Sequence, residues 1–584
     1  MENCLEEKNT TEVGVELEPL LEDNNTDEQK GGLRRTLPFI IGFDAFEKIA
    51  TYGLMPNMAL YLMNEFHMEM SSASTLLFFW SASINFMPLI GAIIADSFLG
   101  RFYTIGFGSA IYLMGIILLW STTIIPQTRP TPCDPSSITC SSPTILQITF
   151  LCASLGLISI GAGGIRSSSF VFGVDQLKKG GSKTQCSLKE SYFSWYYASY
   201  MLSVLISLTC VVYIQENAGW AVGFAVPLVL MLIGVVLFFS ASPFYVKLKS
   251  RTSLATGFVQ VIVASYRNRH LKLSDDTNYV WHCKNGSTHV FPSEKLGFLN
   301  NACIVRDPVK DFTCDGIVKD PWSLCTVDQV EELKSLLGII PIWSTGMIMN
   351  INGSQNAFPV LQATSMDRSI TSSFAIPAAS FNVFVVIAVI LWVLLYDRIF
   401  LPLASRFMGR PVHVSTRTRM GLGIFLSSLA MIESAIVEAA RRARAINEGS
   451  LDHPLAGVHM SAVWLIPQNI LMGFAEGSNA IAQNEFFFSE LPRSMSSIAT
   501  TMNGIGVCLA NLLASMIMNI VDGISKAKGG ESWISSNINK GHYDYYYMLL
   551  AGLSLCNMVY FIVCTSAYGP FKEERTREEK DDMY

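Results

Sequence analysis

Three ionisable residues interrupt an apolar run near the start of the chain: Asp44, Glu47 and Lys48, with Tyr52 one turn further on. Positions i, i+3 and i+4 share one helical face, so two carboxylates and an ammonium would meet on the same side. A carboxylate beside a cation takes up or releases its proton as that cation is drawn elsewhere, because neighbouring charge sets its proton affinity. The trio is therefore read as a proton-coupling site; a static ion network that only orients helices is the alternative. Later, Gly161, Gly163 and Gly164 precede Arg166. Small residues let helices approach closely, which leaves Arg166 as a lone cation within a helix. Its planar fork of donors suits an anion or the anionic end of a solute; a structural pair with a carboxylate on another helix is the alternative. Glu476 is the expected partner of Arg166 across the two halves of the chain. Trp343 and Gln355 lie in a polar stretch with Asn350, Asn352 and Asn356. That stretch suits a cavity wall, or else interhelical hydrogen bonding. Tyr52, Trp343 and Gln355 join Arg166 and Glu476 as substrate-binding residues. Glu433 belongs to no motif and is read as structural, or as placed in a wet crevice.

These charges need elements that can hold them in an apolar setting. A bilayer core about 30 Å thick takes roughly 20 mostly apolar helical residues, and a charge at the centre of such a helix costs roughly 2.5–3.5 kcal/mol. Twelve runs qualify: Phe39–Tyr61, Leu76–Ser97, Tyr103–Ile124, Leu146–Phe172, Tyr192–Ile214, Val222–Phe244, Leu336–Phe358, Phe374–Leu395, Met420–Ala439, Ser461–Phe487, Ile498–Val521 and Tyr546–Thr565. One long polar segment divides them six and six. The reading is an all-α polytopic membrane protein with about 12 transmembrane helices in two six-helix bundles around a central cavity. Its parts are an N-terminal tail (1–37), a first bundle (38–246), a central loop (247–327), a second bundle (328–568) and a C-terminal tail (569–584). A degenerate echo points to duplication: Asp96 with Gly100 and Arg101 after the second run, Asp397 with Gly409 and Arg410 after the eighth.

Composition agrees. Of 584 residues, 50% are hydrophobic and 15% charged, against about 25% charged in soluble domains. A net charge of −6 with no basic stripe argues against a nucleic-acid partner. The 13 cysteines form no CxxC pair, no nucleophile or phosphate-loop motif is present, and neither an enzyme nor a cofactor is expected. Lys and Arg in short loops favour the inner side for Arg101, Lys178, Lys179, Lys183, Lys189, Arg406, Arg410, Arg417, Arg419 and Arg493. Both tails and the central loop would then be cytoplasmic. Arg441, Arg442, Arg444, Lys526, Lys528 and Lys540 are exceptions. Cys133 and Cys140 fall in an outer loop, where an oxidising compartment allows a disulfide; two free thiols are the alternative. A dileucine-like segment from Glu16 to Leu21 points to a vacuolar membrane as the alternative to the plasma membrane.

At several of these positions the chain resembles the plant nitrate and peptide transporter family, the plant branch of the proton-dependent oligopeptide transporters in the major facilitator superfamily. The resemblance runs from about Gly31 to Pro570. It rests on Gly91–Arg101, Gly163-Gly164-Ile-Arg166 with Asp175 and Gln176, Tyr192–Tyr197, Cys325–Lys334, Leu361-Gln-Ala, Glu485 with Pro492, and Trp533 with Asn537–Tyr546. It is strongest to the first subfamily, whose characterised members include nitrate carriers. It implies a proton-coupled symporter working by alternating access, with protons, a small anion and the lipid bilayer as partners. The family's first-helix Glu-x-x-Glu-Arg reads here as Asp44-x-x-Glu47-Lys48. Arg166 falls on the cavity cation and Glu476 on the tenth-helix glutamate that peptide carriers use for an amino end. Gly353 stands where nitrate-binding members can have histidine, so low-affinity nitrate is the first substrate. Peptides, hormones or glucosinolates are alternatives, as is a transport-dead nitrate sensor whose central loop docks a regulator. A phosphorylated threonine of one relative matches Thr104, which makes a kinase a partner of the cytoplasmic loops.

Overall fold

The computed structural model describes residues 26–132, 141–177, 182–247, 254–270, 281–283, 291–307, 311–312, 318–371, 374–409, 414–452, 457–492, 495–527 and 531–571. The Glu16–Leu21 segment, Cys133, Cys140, Lys178, Lys179, Arg410, Arg493 and Lys528 lie outside these residues. Twelve long helices carry the described fold. The first half holds α1 (Thr26–Glu65), α2 (Met70–Ile94), α3 (Arg101–Ile124), α4 (Ile145–Gln176), α5 (Ser182–Ile206) and α6 (Trp220–Ser240). The second holds α7 (Val327–Gly353), α8 (Val383–Leu395), α9 (Thr416–Asn447), α10 (Ile466–Glu490), α11 (Ser496–Ala527) and α12 (Tyr543–Tyr568). Among the described residues, ten helical stretches are long and apolar enough to cross a membrane on those grounds alone. The two long helices outside that set are α1 and α10. They carry Asp44, Glu47 and Lys48, and Glu476: the polar residues of the site dilute the hydropathy that marks the other spans.

Three boundaries differ from the sequence expectation. The seventh span is broken: α7 stops at Gly353 and a short helix, Ala357–Thr364, resumes after it. At the break the Ser354 hydroxyl donates to Asn350 O and the Gln355 amide to Ile351 O, so side chains compete for helical carbonyls. The eighth span starts late. Phe374–Ala375 pairs antiparallel with Ser369–Thr371, and a 3₁₀ turn at Ala378–Asn382 leads into α8. The tenth starts at Ile466, because Val458–Ser461 is a strand beside Met366–Asp367. The duplication is plainer in the backbone than in the residues. A π-turn follows α2 (Ala95–Leu99) and α8 (Tyr396–Phe400), with Asp96 and Asp397 each in its second position. Gly100 and Gly409, at φ +77° and +64°, then turn the chain where other residues would be strained.

The exceptions to the Lys and Arg bias that fall among the described residues are satisfied locally. Arg441 on α9 is fully buried. It donates to Glu438 at 2.9 and 2.8 Å, to Asn539 Oδ1 at 2.7 Å and to Ile538 O at 2.9 Å. Gln362 completes the cluster by donating to Glu438 at 2.7 Å. Arg442 donates to Gly541 O and His542 Nε2, and Arg444 to His459 O. Burial and then Arg442 hold the His542 imidazole below its ordinary pKa, so it accepts that bond as a neutral ring. Lys526 pairs with Asp522 and Glu69, and Lys540 with Asp452. These cations are therefore engaged in the fold.

The central segment is more than a polar linker. A helix at Leu254–Arg267 and a 3₁₀ turn at Gly297–Cys303 build a small core of Val261, Ala264, Leu299, Cys303, Cys325 and Val330. Burial pushes the Cys303 and Cys325 thiols up to about 12, so both behave as protonated core residues. Lys334, near the start of α7, donates to Ser293 O at 2.7 Å and fastens this unit to the second half.

The two halves meet along α2 and α11. Polar ties gather at the end where α1 finishes and α2 begins: Ser536 to Met70 N, Thr75 to Asn519, Lys526 to Glu69, Arg368 and the Ala378 amide to Glu216, and Ser380 to Leu208 O. At the opposite end the charged residues pair within each half, Arg101 with Asp175 and Arg419 with Glu485.

The buried Glu438–Arg441 pair yields a stability prediction. Removing one member strands a charge, which typically costs about 3–5 kcal/mol. Arg441→Met and Glu438→Gln should each lower the melting temperature of the detergent-purified protein. The Glu438→Leu/Arg441→Met double variant should lose less than either alone; a loss equal to the sum of the two would refute the pairing energetics.

Candidate functional site

The charged face of α1 is assembled as its spacing requires. Glu47 is completely buried, and each of its oxygens is occupied. Lys48 Nζ lies 2.9 Å from Oε2; Arg166 Nε lies 3.0 Å from Oε1; the Thr51 hydroxyl donates to Oε1 at 2.8 Å. Thr51 has given its one hydrogen to Glu47, so the Tyr112 hydroxyl of α3, 2.7 Å away, donates to Thr51. Lys48 also stands 3.9 Å from Asp44 Oδ1, and the Tyr196 hydroxyl of α5 donates to the Asp44 carboxylate. Two carboxylates thus face two cations, a neutral cluster in an apolar surround.

Arg166 reaches this cluster because α4 lies against its neighbours almost without side chains between. A Cβ on Gly163 would stand 2.5 Å from Met87 Cβ, and one on Gly161 2.5 Å from Tyr112 N. Any larger residue at either position would push α4 away from α2 or α3. Arg166 is 17% exposed at its side chain, while Glu47 is enclosed. Its Cζ lies 6.0 Å from the centre of the Tyr52 ring, and its Nη2 is buried with no hydrogen-bond partner among the described residues. The partner expected for Arg166 was Glu476. In this structure the bond is made instead to Glu47, within the same half, because α1 and α4 are already neighbours while α10 lies across the cavity.

That cavity holds about 330 Å³ between the halves. Tyr52 forms part of its wall, and the Tyr52 hydroxyl meets that of Tyr200 at 2.8 Å. Most of the wall is apolar, with Met55, Leu77, Phe78, Trp80 and Val507 among its members; Asn350, Asn356, Asn382 and Asn511 supply polar groups. Glu476 opens onto it with no hydrogen bond or ion pair among the described residues. Gly353 lies opposite: a Cβ there would stand 3.1 Å from Glu476 Oε1 and 3.2 Å from Met472 Cε. The glycine makes the room that the carboxylate occupies.

Two residues expected at the cavity wall are placed elsewhere. Trp343 Nε1 donates to Met502 O at 2.9 Å and ties α7 to α11. Gln355 is buried and holds Ile351 O while accepting from the Tyr546 hydroxyl. Each has spent its polar atoms on packing. Thr104 is buried in the first turn of α3, and its hydroxyl donates to Gly100 O at 3.0 Å. A kinase would reach it only after that turn moved. Glu433 Oε2 is buried without a hydrogen-bond partner among the described residues and joins neither network. The sequence reading missed Thr51, Tyr112, Tyr196 and Tyr200. Thr51 was within reach, four residues after Glu47 on one face; the three tyrosines come from other helices and carry no local signal.

Comparison with known proteins agrees with this architecture. The chain matches the PTR2 profile, described as the POT family, over residues 102–534. It is 48% identical over 562 residues to Protein NRT1/ PTR FAMILY 1.2 of Arabidopsis thaliana, covering 95% of this chain and 92% of the relative. Protein NRT1/ PTR FAMILY 1.1 of the same plant is 49% identical over 559 residues, covering 95% and 94%. Among solved structures, an auto-inhibited POT family peptide transporter superposes with a TM-score of 0.68 at 18% identity, covering 92% of this chain and 98% of that one. The POT family transporter PepTSo gives 0.68 at 19%, covering 91% and 98%. A family match across most of the chain, two near-full-length relatives and a shared helical architecture lead to one conclusion: this protein belongs to the POT family of transporters, alongside the NRT1/PTR proteins of plants.

Proposed function

We propose that the protein is a proton-coupled symporter that moves a small anionic solute by alternating access. The observation that carries the reading is the position of Arg166. One edge of its guanidinium is held by Glu47 and the other carries the unpartnered Nη2 behind Tyr52. Tyr52 lines the cavity and its ring stands 6.0 Å from Arg166 Cζ, so an anion that passes this ring meets a free donor. A proton on Glu47 weakens its hold on Arg166 Nε and on Lys48, which frees the cation for the solute. Solute and proton then favour each other's binding, and linkage makes that coupling reciprocal. Asp44 and Lys48 complete the local charge balance through which the proton passes. Both tails and the central segment face the cytoplasm of the plasma membrane, and the tied end of the molecule faces outward. The cavity is then closed to the outside in this conformation.

Nitrate at low affinity is the first substrate in this reading. The cavity supports a second. A volume near 330 Å³ falls in the range of roughly 300–1,000 Å³ typical of pockets for small organic ligands, and the wall is mainly apolar. That space fits an organic carboxylate with an apolar body better than a four-atom ion.

The proton step predicts that Glu47→Gln reaches the membrane yet loses acid-stimulated uptake in expressing oocytes. Normal pH dependence in that variant would remove Glu47 from the proton path. Wild-type uptake indifferent to external pH and to a protonophore would overturn the symport itself, and binding without flux would mark a sensor. Arg166→Ala should weaken anion affinity about ten- to hundred-fold, the worth of a charge-assisted hydrogen bond. Gly353→Val separates the two substrates. It should depress uptake of an organic carboxylate about ten-fold or more by filling the cavity while sparing nitrate. Orientation is read from a tag beside His282, which should be labelled only after permeabilisation.

A further inference from the structure

The ties that close the cavity at its sealed end are unevenly distributed, and one group of them continues directly into the cavity wall. Halfway along the fifth span, α5 gives way to a π-turn at Ser207–Val211 and resumes as Val212–Ala218. The wider turn changes the hydrogen-bond register and brings backbone carbonyls within reach of other donors. Leu208 O accepts from the Ser380 hydroxyl of the second half at 2.7 Å. Two turns further on, Glu216 Oε1 pairs with Arg368 Nη1 at 2.6 Å and Oε2 accepts from Ala378 N at 3.3 Å. The Ala378 amide belongs to the 3₁₀ turn Ala378–Asn382, whose first amides have no partner within the turn. One carboxylate therefore spans a cation and a helix start, both in the other half.

The same two strips of chain carry cavity residues. Val204 and Leu208 line it from the α5 side, and Asn382, Val385 and Val386 from the α8 side. Leu208 thus both lines the cavity and gives its carbonyl to the tie, and Ser380 lies two residues before Asn382. Any solute that presses these walls apart acts directly on the contacts beyond them. The seam at α2 and α11, with Glu69, Lys526, Thr75 and Asn519, is instead a long packed helix pair.

We propose that Glu216, with Arg368, the Ala378 amide and the Ser380–Leu208 bond, is an outer latch that sets how often the cavity opens to the sealed side, and that the π-turn at Ser207–Val211 couples it to cavity occupancy. This rests on the alternating-access reading above. The latch is neither a solute ligand nor part of the proton cluster. Its residues act by positioning the halves.

The test measures distances between nitroxides on genetically encoded side chains in the full-length protein in nanodiscs. One pair, at Asn217 and Ile370, reports the latch end; the other, at Leu99 and Ser489, reports the opposite end. Glu216→Gln and Arg368→Gln should each raise the long-distance population of the first pair about two- to five-fold, the range for a partly exposed ion pair. The Glu216→Arg/Arg368→Glu exchange should fall between wild type and the single variants, because it restores the ion pair but not the acceptor for Ala378 N. Ser380→Ala, which changes no charge, should shift the same population in the same direction. If the second pair responds to nitrate and acid while the first is unchanged in all these variants, the latch is refuted and alternating access stands. If neither pair changes under any solute or pH, the alternating-access reading falls and the latch with it.

Discussion

The buried carboxylate of Glu47 is the contact on which the site depends. A charge enclosed in an apolar interior is tolerated only when other charges and donors surround it. Glu47 draws Lys48 from its own helix, Arg166 from α4, and Thr51 backed by Tyr112 from α3. Three helices are thereby held at one point, and the glycines of α4 exist to let them come that close. The cluster is neutral as a whole, so a proton or an anion entering it must displace an existing bond. In the proposed function, that is the physical basis for coupling two ligands that need not touch each other.

The second half has an enclosed pair of its own, used differently. Glu438 and Arg441 sit on one helix turn with every polar atom engaged by Gln362, Asn539 and Ile538 O. Nothing in this cluster opens onto the cavity, and it fastens the loop before α12 to α9 and to the helix beyond the α7 break. The contrast is instructive: Arg166 keeps an unpartnered nitrogen and a partly exposed side chain, whereas Arg441 keeps neither. Glu476 differs from both, since it faces the cavity without a cation, in room that Gly353 leaves open. The two halves share an architecture, down to matching π-turns after α2 and α8, but divide the chemistry. The first half carries the ion cluster, and the second supplies a lone acid and most of the amides.

The broken seventh span and the π-turn of α5 are backbone irregularities whose residues line the cavity. Both spend helical hydrogen bonds, which in a bilayer is tolerable only where protein or a wet cavity satisfies the freed groups. At the α7 break, side chains of the same helix do so; at the α5 π-turn, Ser380 of the opposite half does. Irregular backbone here therefore marks where the wall of the cavity is made and where the halves are joined.

The sequence by itself determined the number and grouping of the spans, because apolar run length is a local property that the bilayer thickness reads directly. It also determined the α1 charge face, since helical spacing places Asp44, Glu47 and Lys48 together whatever surrounds them. The family was legible for the same reason, in short motifs along one chain. Only the tertiary structure decided the pairing. Arg166 meets Glu47 and not Glu476, because helix neighbours are chosen by packing of α4 on α2 and α3 rather than by charge. It decided too that Trp343 and Gln355 serve packing: their polarity was visible, but the direction of a side chain within a bundle depends on which helices flank it. The basic residues at 441, 442 and 444 show the same limit. Counted along the chain they obscure the orientation; in the folded protein Arg441 is neutralised by Glu438 one turn before it, while Arg442 and Arg444 bond to partners that no spacing rule reveals.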